Sequence, residues 1–310
     1  MSLDARTLER RRVAARRERR RRQVRRRRAT ALAILAALLL GIVLIASSGG
    51  AAHPPAPAHR TAAARPHPVA APSQQQAALS RFAAAGKPIY CAGRGHRRLV
   101  ALTFDDGPGP YTRLALRKLQ AAHAPATFFL VGKEIDAYPD LPAIERSVGP
   151  LGDHTYTHPE LTTLDPATMQ SEIARTQQRV ATAAGTPPRL FRPPYGARNP
   201  AIDAEAKALG MVEILWDVDT RDSEGANYAG IAANVRHQVK PGSIVLMHDN
   251  RGQTIRALDH VLNTLRHNQL TPVTVPELLA ADPPTAAQLA AGPNGCGASA
   301  GKSAEGSSGA

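Results

Sequence analysis

The sequence predicts an α/β protein whose main domain is a distorted (β/α) barrel of about seven strands. Short apolar runs alternate with longer amphipathic segments between residues 89 and 281. Strands and helices that alternate at this spacing indicate βα units and a mostly parallel sheet. Several apolar runs are followed directly by ionisable residues, as in barrels that build their sites at the carboxyl ends of the strands.

The predicted elements follow from these runs. The predicted strands are 99–104, 127–131, 149–152, 190–191, 212–216, 243–247 and 272–275. The predicted helices are 112–123, 141–148, 166–183, 200–209, 228–239 and 254–268.

The N-terminal segment predicts a membrane anchor. Residues 1–28 hold 14 arginines and three acidic residues, which is +11 of the formal net charge of +14, and residues 29–46 contain no charge at all. Those 18 residues would form a helix of roughly 27 Å, close to the ~30 Å core of a bilayer. We expect an uncleaved signal-anchor helix with a cytoplasmic basic tail and an extracytoplasmic domain. A cleaved signal and a buried soluble helix are the alternatives, and the arginines leave a nucleic-acid-binding arm as a weaker one.

Two further segments lack the large apolar residues that a core requires. We expect residues 47–88 to be an Ala/Pro-rich linker and residues 282–310 to be a disordered C-terminal tail. Cys91 and Cys296 both lie on the predicted outer side of the membrane. An oxidising compartment would allow a disulfide between them, and two free thiols are the alternative.

Adjacent carboxylates at the end of the first predicted strand, Asp105 and Asp106, indicate a charged site. Two close carboxylates repel each other, so the pair needs a cation, a proton or water. His154 and His158 are four residues apart, a spacing that suits two ligands of one metal ion, and a carboxylate would complete the set. Zn²⁺ is the first choice for such ligands, with Co²⁺, Ni²⁺, Fe²⁺ or Mn²⁺ as alternatives. The second carboxylate would then be free to act as a base.

Two other motifs predict the remaining chemistry. His248 also follows a strand, and an adjacent carboxylate could raise its pKa enough to make it a general acid. The segment Arg192-Pro-Pro-Tyr-Gly196 contains rigid prolines and a glycine. Its arginine could hold a carboxylate base, and an exposed backbone N–H could stabilise an oxyanion.

Together these motifs resemble those of the NodB-type polysaccharide deacetylases, carbohydrate esterase family 4. The resemblance extends over residues 89–281 and rests on five motifs in order: Thr103-Phe-Asp-Asp-Gly-Pro108, His154-Thr-Tyr-Thr-His158-Pro159, Arg192-Pro-Pro-Tyr-Gly196, Trp216-Asp-Val-Asp-Thr-Arg-Asp222 and Leu246-Met-His-Asp249. It implies a distorted barrel and metal-dependent removal of acetyl groups from sugar polymers.

The resemblance also implies a role for each site residue. Asp105 would be the general base, and Asp106, His154 and His158 would bind the metal. Arg192 would orient Asp105, and His248 would be the acid, tuned by Asp222. The backbone N–H of Tyr195 would stabilise the oxyanion, and the substrate pocket would include Leu246, Pro194 and Trp216. This chain departs from the usual pattern at Ser223, where many members have Trp, and at Asp153, where Asn is commoner.

From these features we predict a membrane-anchored, metal-dependent deacetylase of an N-acetylated cell-wall polysaccharide. Peptidoglycan is the expected substrate because a tethered enzyme would meet it first. The alternatives are another glycan, such as chitin oligomers, poly-N-acetylglucosamine or acetylated xylan, and a catalytically silent, anchored glycan-binding module. The sequence predicts no oligomeric state.

Overall fold

A parallel β-sheet forms the centre of the protein. The structure, a computed structural model, describes residues 70–93 and 97–297. The strands are β1 (Leu99–Gly107), β2 (Thr127–Leu130), β3 (Leu151–Asp153), β4 (Leu190–Phe191), β5 (Val212–Glu213), β6 (Val218–Asp219), β7 (Ile244–His248) and β8 (Thr271–Val273). Their order in the curled sheet is β5-β4-β3-β2-β1-β7-β6, and β8 pairs with the start of β1.

Helices connect these strands and cover the sheet. They are α1 (Pro72–Ala85), α2 (Thr112–Ala121), α3 (Gly132–Ala137), α4 (Leu141–Arg146), α5 (Pro166–Ala184), α6 (Pro200–Ala208), α7 (Tyr228–Gln238), α8 (Gly252–His267), α9 (Val275–Ala281) and α10 (Ala286–Ala291). Short 3₁₀ turns occupy Leu161–Thr163, Pro194–Gly196 and Gly292–Cys296.

The alternation of side chains along β1 divides the core between two faces of the sheet. Val100, Leu102 and Phe104 pack in one buried cluster with residues of α2, α7 and α8. Leu99 and Ala101 belong to a second cluster, which includes residues of α1 and α9. Because successive strand residues point to opposite faces, Thr103 and Asp105 continue the second face toward the carboxyl end of β1.

The predicted α/β class and the parallel sheet are confirmed, with one difference in closure. Seven of the eight strands and six of the helices lie where the apolar runs predicted them, within a few residues. The two-residue strand β6 was missed because it follows β5 too closely to form a separate apolar run. In the described part of the chain no strand ladder joins β5 to β6, so this sheet is curled but not closed at that point.

The linker prediction for residues 47–88 is wrong at its C-terminal end. Residues 72–85 form the 14-residue helix α1, which begins with a proline and ends at Gly86 in the left-handed conformation. Leu79 and Phe82 are buried against the second core cluster. Burial of one such side chain stabilises the fold by about 1.5–3 kcal/mol. The average composition of this Ala-rich segment does not reveal that it contains two of them.

The prediction of disorder also fails at the start of the C-terminal tail. Helix α10 has a capping box formed by Thr285 and Gln288, and the following 3₁₀ turn ends at Cys296. A disulfide joins Cys296 to Cys91, which lies 205 residues earlier in the sequence. This covalent link holds a segment that has few apolar side chains of its own.

The predicted signal-anchor helix, 29–46, and the basic tail, 1–28, lie outside the described residues. Within 70–93 and 97–297, none of the helices is both long and apolar enough to cross a bilayer.

We predict that Phe82→Ala lowers the free energy of unfolding by about 3–5 kcal/mol, the usual cost of removing a buried aromatic ring. Urea unfolding followed by circular dichroism would measure the change. Gln76→Ala, at an exposed position of the same helix, is the matched control and should change the stability by less than about 0.5 kcal/mol. Equal stability of the two variants would show that α1 is a dispensable linker after all.

Candidate active site

An irregularity at the end of β1 brings two adjacent carboxylates into one site. The register with β2 shifts between Asp105 and Gly107, and Asp106 has a left-handed φ of 65°. In a regular strand the two side chains would point to opposite faces. The irregular backbone instead places both carboxylates beside His154, whose Nε2 lies 3.7 Å from Asp105 Oδ2 and 3.6 Å from Asp106 Oδ1.

Asp105 is held by a fully buried arginine. Nη1 of Arg192 donates hydrogen bonds to Asp105 Oδ1 at 2.7 Å and to Thr103 Oγ1 at 2.8 Å. Nε and Nη2 donate to the carbonyl oxygens of Ile214 and Leu215 at 2.9 and 3.1 Å. Burial lowers the pKa of Arg192 and Asp105 opposes the shift, but a guanidinium stays charged at any physiological pH. Such a pair fixes one carboxylate oxygen and leaves the other facing the site.

Three side chains form a candidate metal-binding cluster. The ligand atoms of Asp106, His154 and His158 all lie within 4.8 Å of one another. His158 Nε2 is 3.2 Å from Asp106 Oδ1. Two donors at about 2.0–2.2 Å from Zn²⁺ in tetrahedral geometry would be about 3.3–3.6 Å apart, close to this distance and to the 3.6 Å between His154 Nε2 and the same oxygen. The three residues therefore fit a divalent metal.

The hydrogen bonds around this cluster support the same interpretation. His154 Nδ1 lies 2.6 Å from the carbonyl oxygen of Arg192, which can only accept, so Nδ1 carries the proton. Nε2 of a neutral ring then presents a lone pair toward Asp106 Oδ1, a buried atom that has no hydrogen-bond partner among the described residues. A cation between them would satisfy both groups.

The electrostatics of the cluster keep His158 and Asp106 in their metal-binding forms. Burial, reinforced by the neighbouring His154, lowers the pKa of His158 to about 4, so the ring is neutral at pH 7. Burial raises the pKa of Asp106, but His154, His248, His158 and Arg251 together outweigh it, and the net shift is downward. Neutral imidazoles and an ionised carboxylate are the forms that bind metals.

His248 lies on the neighbouring strand at the level of Asp105, its partner in the β1–β7 register. Its Nδ1 is 2.7 Å from Asp222 Oδ1, and its backbone N–H donates to Asp222 Oδ2 at 2.8 Å. Burial lowers the pKa of His248, but the hydrogen bond and charge of Asp222 together with Asp105 and Asp106 outweigh it and raise the pKa to about 9. His248 is therefore protonated at neutral pH, with Nε2 4.0 Å from Asp106 Oδ2.

The predicted pocket residues lie on β7, in the turn after β4 and between β5 and β6. Leu246 is buried on β7, and Pro194 begins the 3₁₀ turn that contains Tyr195. The Tyr195 side chain is 60% exposed, and its ring meets the ring of His158 edge-on at 4.7 Å between centroids. Trp216 is half-buried, and a Cβ added to Gly196 would lie 3.0 Å from its ring, so only glycine allows this turn to approach the indole.

Left-handed backbone conformations are concentrated in the site loops. Seven non-glycine residues of the described chain have positive φ, and five of them lie in or beside the motifs: Asp106, Thr155, His158, Tyr195 and Arg221. Each such conformation costs of order 1–3 kcal/mol and persists only where surrounding contacts enforce it. The fold therefore stores strain where the candidate ligands are positioned.

Sequence reasoning missed several polar groups of the site. Asn250 Nδ2 donates to Asp106 Oδ2 at 3.5 Å, and Thr103 bridges Arg192 to the carbonyl of Val245. Glu145 and Asp249 are completely buried neighbours, and burial raises the pKa of Asp249 to about 7 and that of Glu145 well above its usual value. Thr103 and Asp249 lie inside recognised motifs and Asn250 directly follows one, but none of them was assigned a role, and Glu145 had no sequence signal.

Both departures from the usual motif pattern have a local structural account. Ser223 is exposed, and its backbone N–H donates to Asp222 Oδ1 at 2.9 Å, so the contact that tunes His248 needs no indole. Asp153 is buried and accepts a hydrogen bond from the backbone N–H of Thr155 at 2.9 Å. Burial raises the pKa of Asp153 well above its usual value, which reduces the negative charge that this substitution adds.

Fold and site together define an α/β protein with a two-histidine, one-carboxylate cluster at the carboxyl edge of a parallel sheet. Comparison with known proteins identifies the family. The family model for polysaccharide deacetylases matches residues 92–214. A chitooligosaccharide deacetylase from Bradyrhizobium is 32% identical over 215 residues, which cover 62% of this chain and 97% of the relative. The chain therefore belongs to the NodB-type polysaccharide deacetylases, carbohydrate esterase family 4.

Two other relatives are longer than this chain. A bifunctional xylanase/xylan deacetylase from Cellvibrio japonicus is 37% identical over 175 residues, 56% of this chain and 26% of the relative. A peptidoglycan-N-acetylglucosamine deacetylase from Listeria monocytogenes is 36% identical over 181 residues, 58% of this chain and 38% of the relative. The similarity to these two proteins is thus confined to part of each.

Solved structures show the same fold. A family 4 carbohydrate esterase from Streptomyces lividans, in complex with acetate, is 37% identical with a TM-score of 0.54 and covers 58% of this chain and 93% of its own. A family 4 pseudoenzyme from Bacillus anthracis is 29% identical with a TM-score of 0.59, covering 62% and 68%. Family membership alone therefore does not distinguish an active enzyme from an inactive one.

We predict that Asp222→Asn lowers the pKa of His248 well below about 9, because burial would then be opposed only by the charges of Asp105 and Asp106. Titration of the ring resonances of His248 by NMR in metal-free protein would measure the shift. Glu224→Gln, an exposed change two residues away, is the control and should leave the midpoint unchanged. A midpoint that stays near 9 without Asp222 would contradict the assigned cause.

Proposed function

We propose that this protein is a metal-dependent hydrolase that removes acetyl groups from an N-acetylated polysaccharide. The observation that carries the proposal is the convergence of two kinds of group at one edge of the sheet. Asp106, His154 and His158 present ligand atoms to one point. Asp105 and His248, a carboxylate and a protonated imidazole, lie beside them on adjacent strands.

Each remaining group has a defined part in the proposed reaction. The Asp105 carboxylate, oriented by Arg192, takes a proton from the attacking water as it adds to the acetamide carbonyl. The backbone N–H of Tyr195 stabilises the oxyanion that develops. His248 then gives its Nε2 proton to the leaving amine, and Asp222 holds the opposite ring nitrogen. Acetate and a free amine are the products.

The bound metal would supply Lewis-acid chemistry at the acyl group. We propose Zn²⁺ because two imidazoles and one carboxylate are its usual ligands at sites that keep an open position. The same nitrogen and oxygen ligands can also bind Co²⁺, Ni²⁺, Fe²⁺ and Mn²⁺, which are the alternatives. His154 would be oriented as a ligand by the Arg192 carbonyl, which accepts a hydrogen bond from Nδ1 and leaves Nε2 to face the metal.

Peptidoglycan is the substrate that we propose. Support comes from the Listeria relative, whose name assigns it to peptidoglycan, and from the predicted location of this chain. The Bradyrhizobium and Cellvibrio relatives are named for chitooligosaccharide and xylan, which are the competing substrates. A silent glycan-binding role, suggested by the Bacillus anthracis pseudoenzyme, is disfavoured because every proposed ligand and proton carrier is present.

For the location we propose a single-pass membrane protein with its catalytic domain outside the cytoplasm. The uncharged stretch 29–46 and the basic residues before it support this topology. The disulfide between Cys91 and Cys296 supports it independently, because such bonds persist mainly in oxidising compartments.

We predict that the purified protein releases acetate from N-acetylglucosamine polymers with Zn²⁺ or Co²⁺ and loses this activity when a chelator is added. Asp105→Asn should lower kcat by about 10²–10⁴-fold because it removes the general base. His158→Ala should weaken metal binding and activity together. Acetate assays on peptidoglycan, chitin oligomers and acetylated xylan, run in parallel, would identify the substrate.

The matched control for this assay is Asp259→Asn, which makes the same chemical change at an exposed position of α8. It should retain full activity. Unchanged acetate release by Asp105→Asn, with the fold confirmed by circular dichroism, would disprove the assigned mechanism. Greatest activity on xylan or chitin oligomers would replace peptidoglycan as the substrate.

We predict that a reporter fused to the N-terminus is protected from protease added to intact cells, whereas an epitope at residue 297 is digested. Immunoblots before and after cell lysis would measure both. Digestion of the N-terminal reporter on intact cells would reverse the topology, and a mature protein that begins near Gly50 would indicate a cleaved signal.

A further inference from the structure

The loop that carries both candidate metal histidines is bound to two buried carboxylates. Asp153 accepts a hydrogen bond from the backbone N–H of Thr155. The Oε2 atom of Glu172 accepts from the backbone N–H groups of Tyr156 and Thr157, at 3.0 and 2.7 Å. Its Oε1 atom accepts from the Thr157 hydroxyl at 2.9 Å. Three successive N–H groups between the two histidines are thus fixed by carboxylates.

This loop has an unusual backbone that needs such contacts. Thr155 has a φ of 65° and His158 a φ of 62°, both left-handed conformations that residues with a side chain rarely adopt. This backbone places His158 Nε2 3.2 Å from Asp106 Oδ1. The Glu172 contacts lie between these two residues, so they act on the part of the loop that sets the direction of His158.

The position of Glu172 is itself unusual. It lies on the buried side of α5 next to Ile173 and in line with Met169 and Thr176, and it is only 8% exposed. A carboxylate on the apolar side of a helix is costly unless hydrogen bonds compensate its charge. All of the compensating bonds that the structure describes come from the histidine loop, so the helix and the loop are matched to each other.

Other contacts hold the opposite side of the loop. The backbone N–H groups of Gly132 and Lys133, at the start of α3, donate to the carbonyls of Thr155 and Tyr156 at 3.0 Å each. A Cβ added to Gly132 would lie 2.4 Å from the Tyr156 ring, so α3 and the loop are in close contact. Loss of Glu172 would therefore loosen the orientation of His158 without detaching the loop from the domain.

We propose that Glu172 is a positioning residue for the metal site: its carboxylate holds residues 156–157 so that His158 faces Asp106 and His154. The inference rests on the proposed metal-dependent function and assigns to Glu172 a part of that site. Glu172 touches neither the metal nor the substrate. It acts through the backbone of the loop, as the outer hydrogen-bond partners of metal ligands commonly do.

The test measures the dissociation constant for Co²⁺ or Zn²⁺ by calorimetric titration of the full chain, after its metal has been removed with a chelator. Glu172→Ala should weaken binding by about 10–100-fold, the usual effect of removing such a partner. Glu172→Gln should bind nearly as tightly as wild type, because its amide oxygen can accept both N–H groups and its NH₂ can donate to the Thr157 hydroxyl. Saturating metal should largely restore the kcat of Glu172→Ala.

Two further variants separate this role from charge and from stability. Glu160→Ala removes an equal charge two residues beyond His158, where the carboxylate binds only the Thr162 hydroxyl among the described side chains, and should leave the dissociation constant unchanged. Glu172→Asp keeps the charge but shortens the side chain, and should weaken binding; it replaces Glu172→Ala if that variant does not fold.

The outcomes are distinguishable. If wild-type protein binds no divalent metal, the proposed function fails and the inference fails with it. If wild type binds metal and Glu172→Ala or Glu172→Asp, folded by circular dichroism, binds it equally well, only the inference is overturned. A loss in Glu172→Gln as large as in Glu172→Ala would also overturn it, because the charge and not the hydrogen bonds would then be responsible.

Discussion

The buried guanidinium of Arg192 is the contact on which the rest of the site depends. It binds Asp105 and Thr103 from β1 and two backbone carbonyls from the segment after β5, and it lies 4.2 Å from the centre of the Phe129 ring on β2. Its own carbonyl fixes the tautomer of His154. Removing one partner of a buried ion pair typically costs about 3–5 kcal/mol. One residue therefore connects the candidate base, a candidate ligand and three parts of the sheet.

Much of the site could be predicted from the sequence because its residues follow apolar runs. Asp105, Arg192 and His248 each follow an apolar run that indicates a buried strand, and parallel strands bring their carboxyl ends to the same edge. What the sequence left unexplained was how two adjacent carboxylates could face one point. The answer is the left-handed backbone of Asp106. Aspartate adopts this conformation more often than most residues, but its presence alone does not predict it.

The remaining elements were missed for a different physical reason. Helix α1 and the turn that ends at Cys296 have too few large apolar side chains to be recognised from composition, and they are ordered by contacts that are distant in sequence. Glu172 shows the same limitation at the level of one side chain. An acidic residue on the buried side of a helix indicates that its carboxylate has hydrogen-bond partners. Those partners could be identified only from the position of the histidine loop against α5.

The packing of α1 determines which end of the sheet this helix covers. Leu79 and Phe82 belong to the core cluster that contains Leu99, Val212 and Ile244, which are the first residues of their strands, whereas the site is built at the last residues. Helix α1 thus packs against the amino ends of these strands, at the end of the sheet opposite the candidate site. The loops that carry the candidate ligands and the helix that precedes β1 therefore occupy different ends of the same strands.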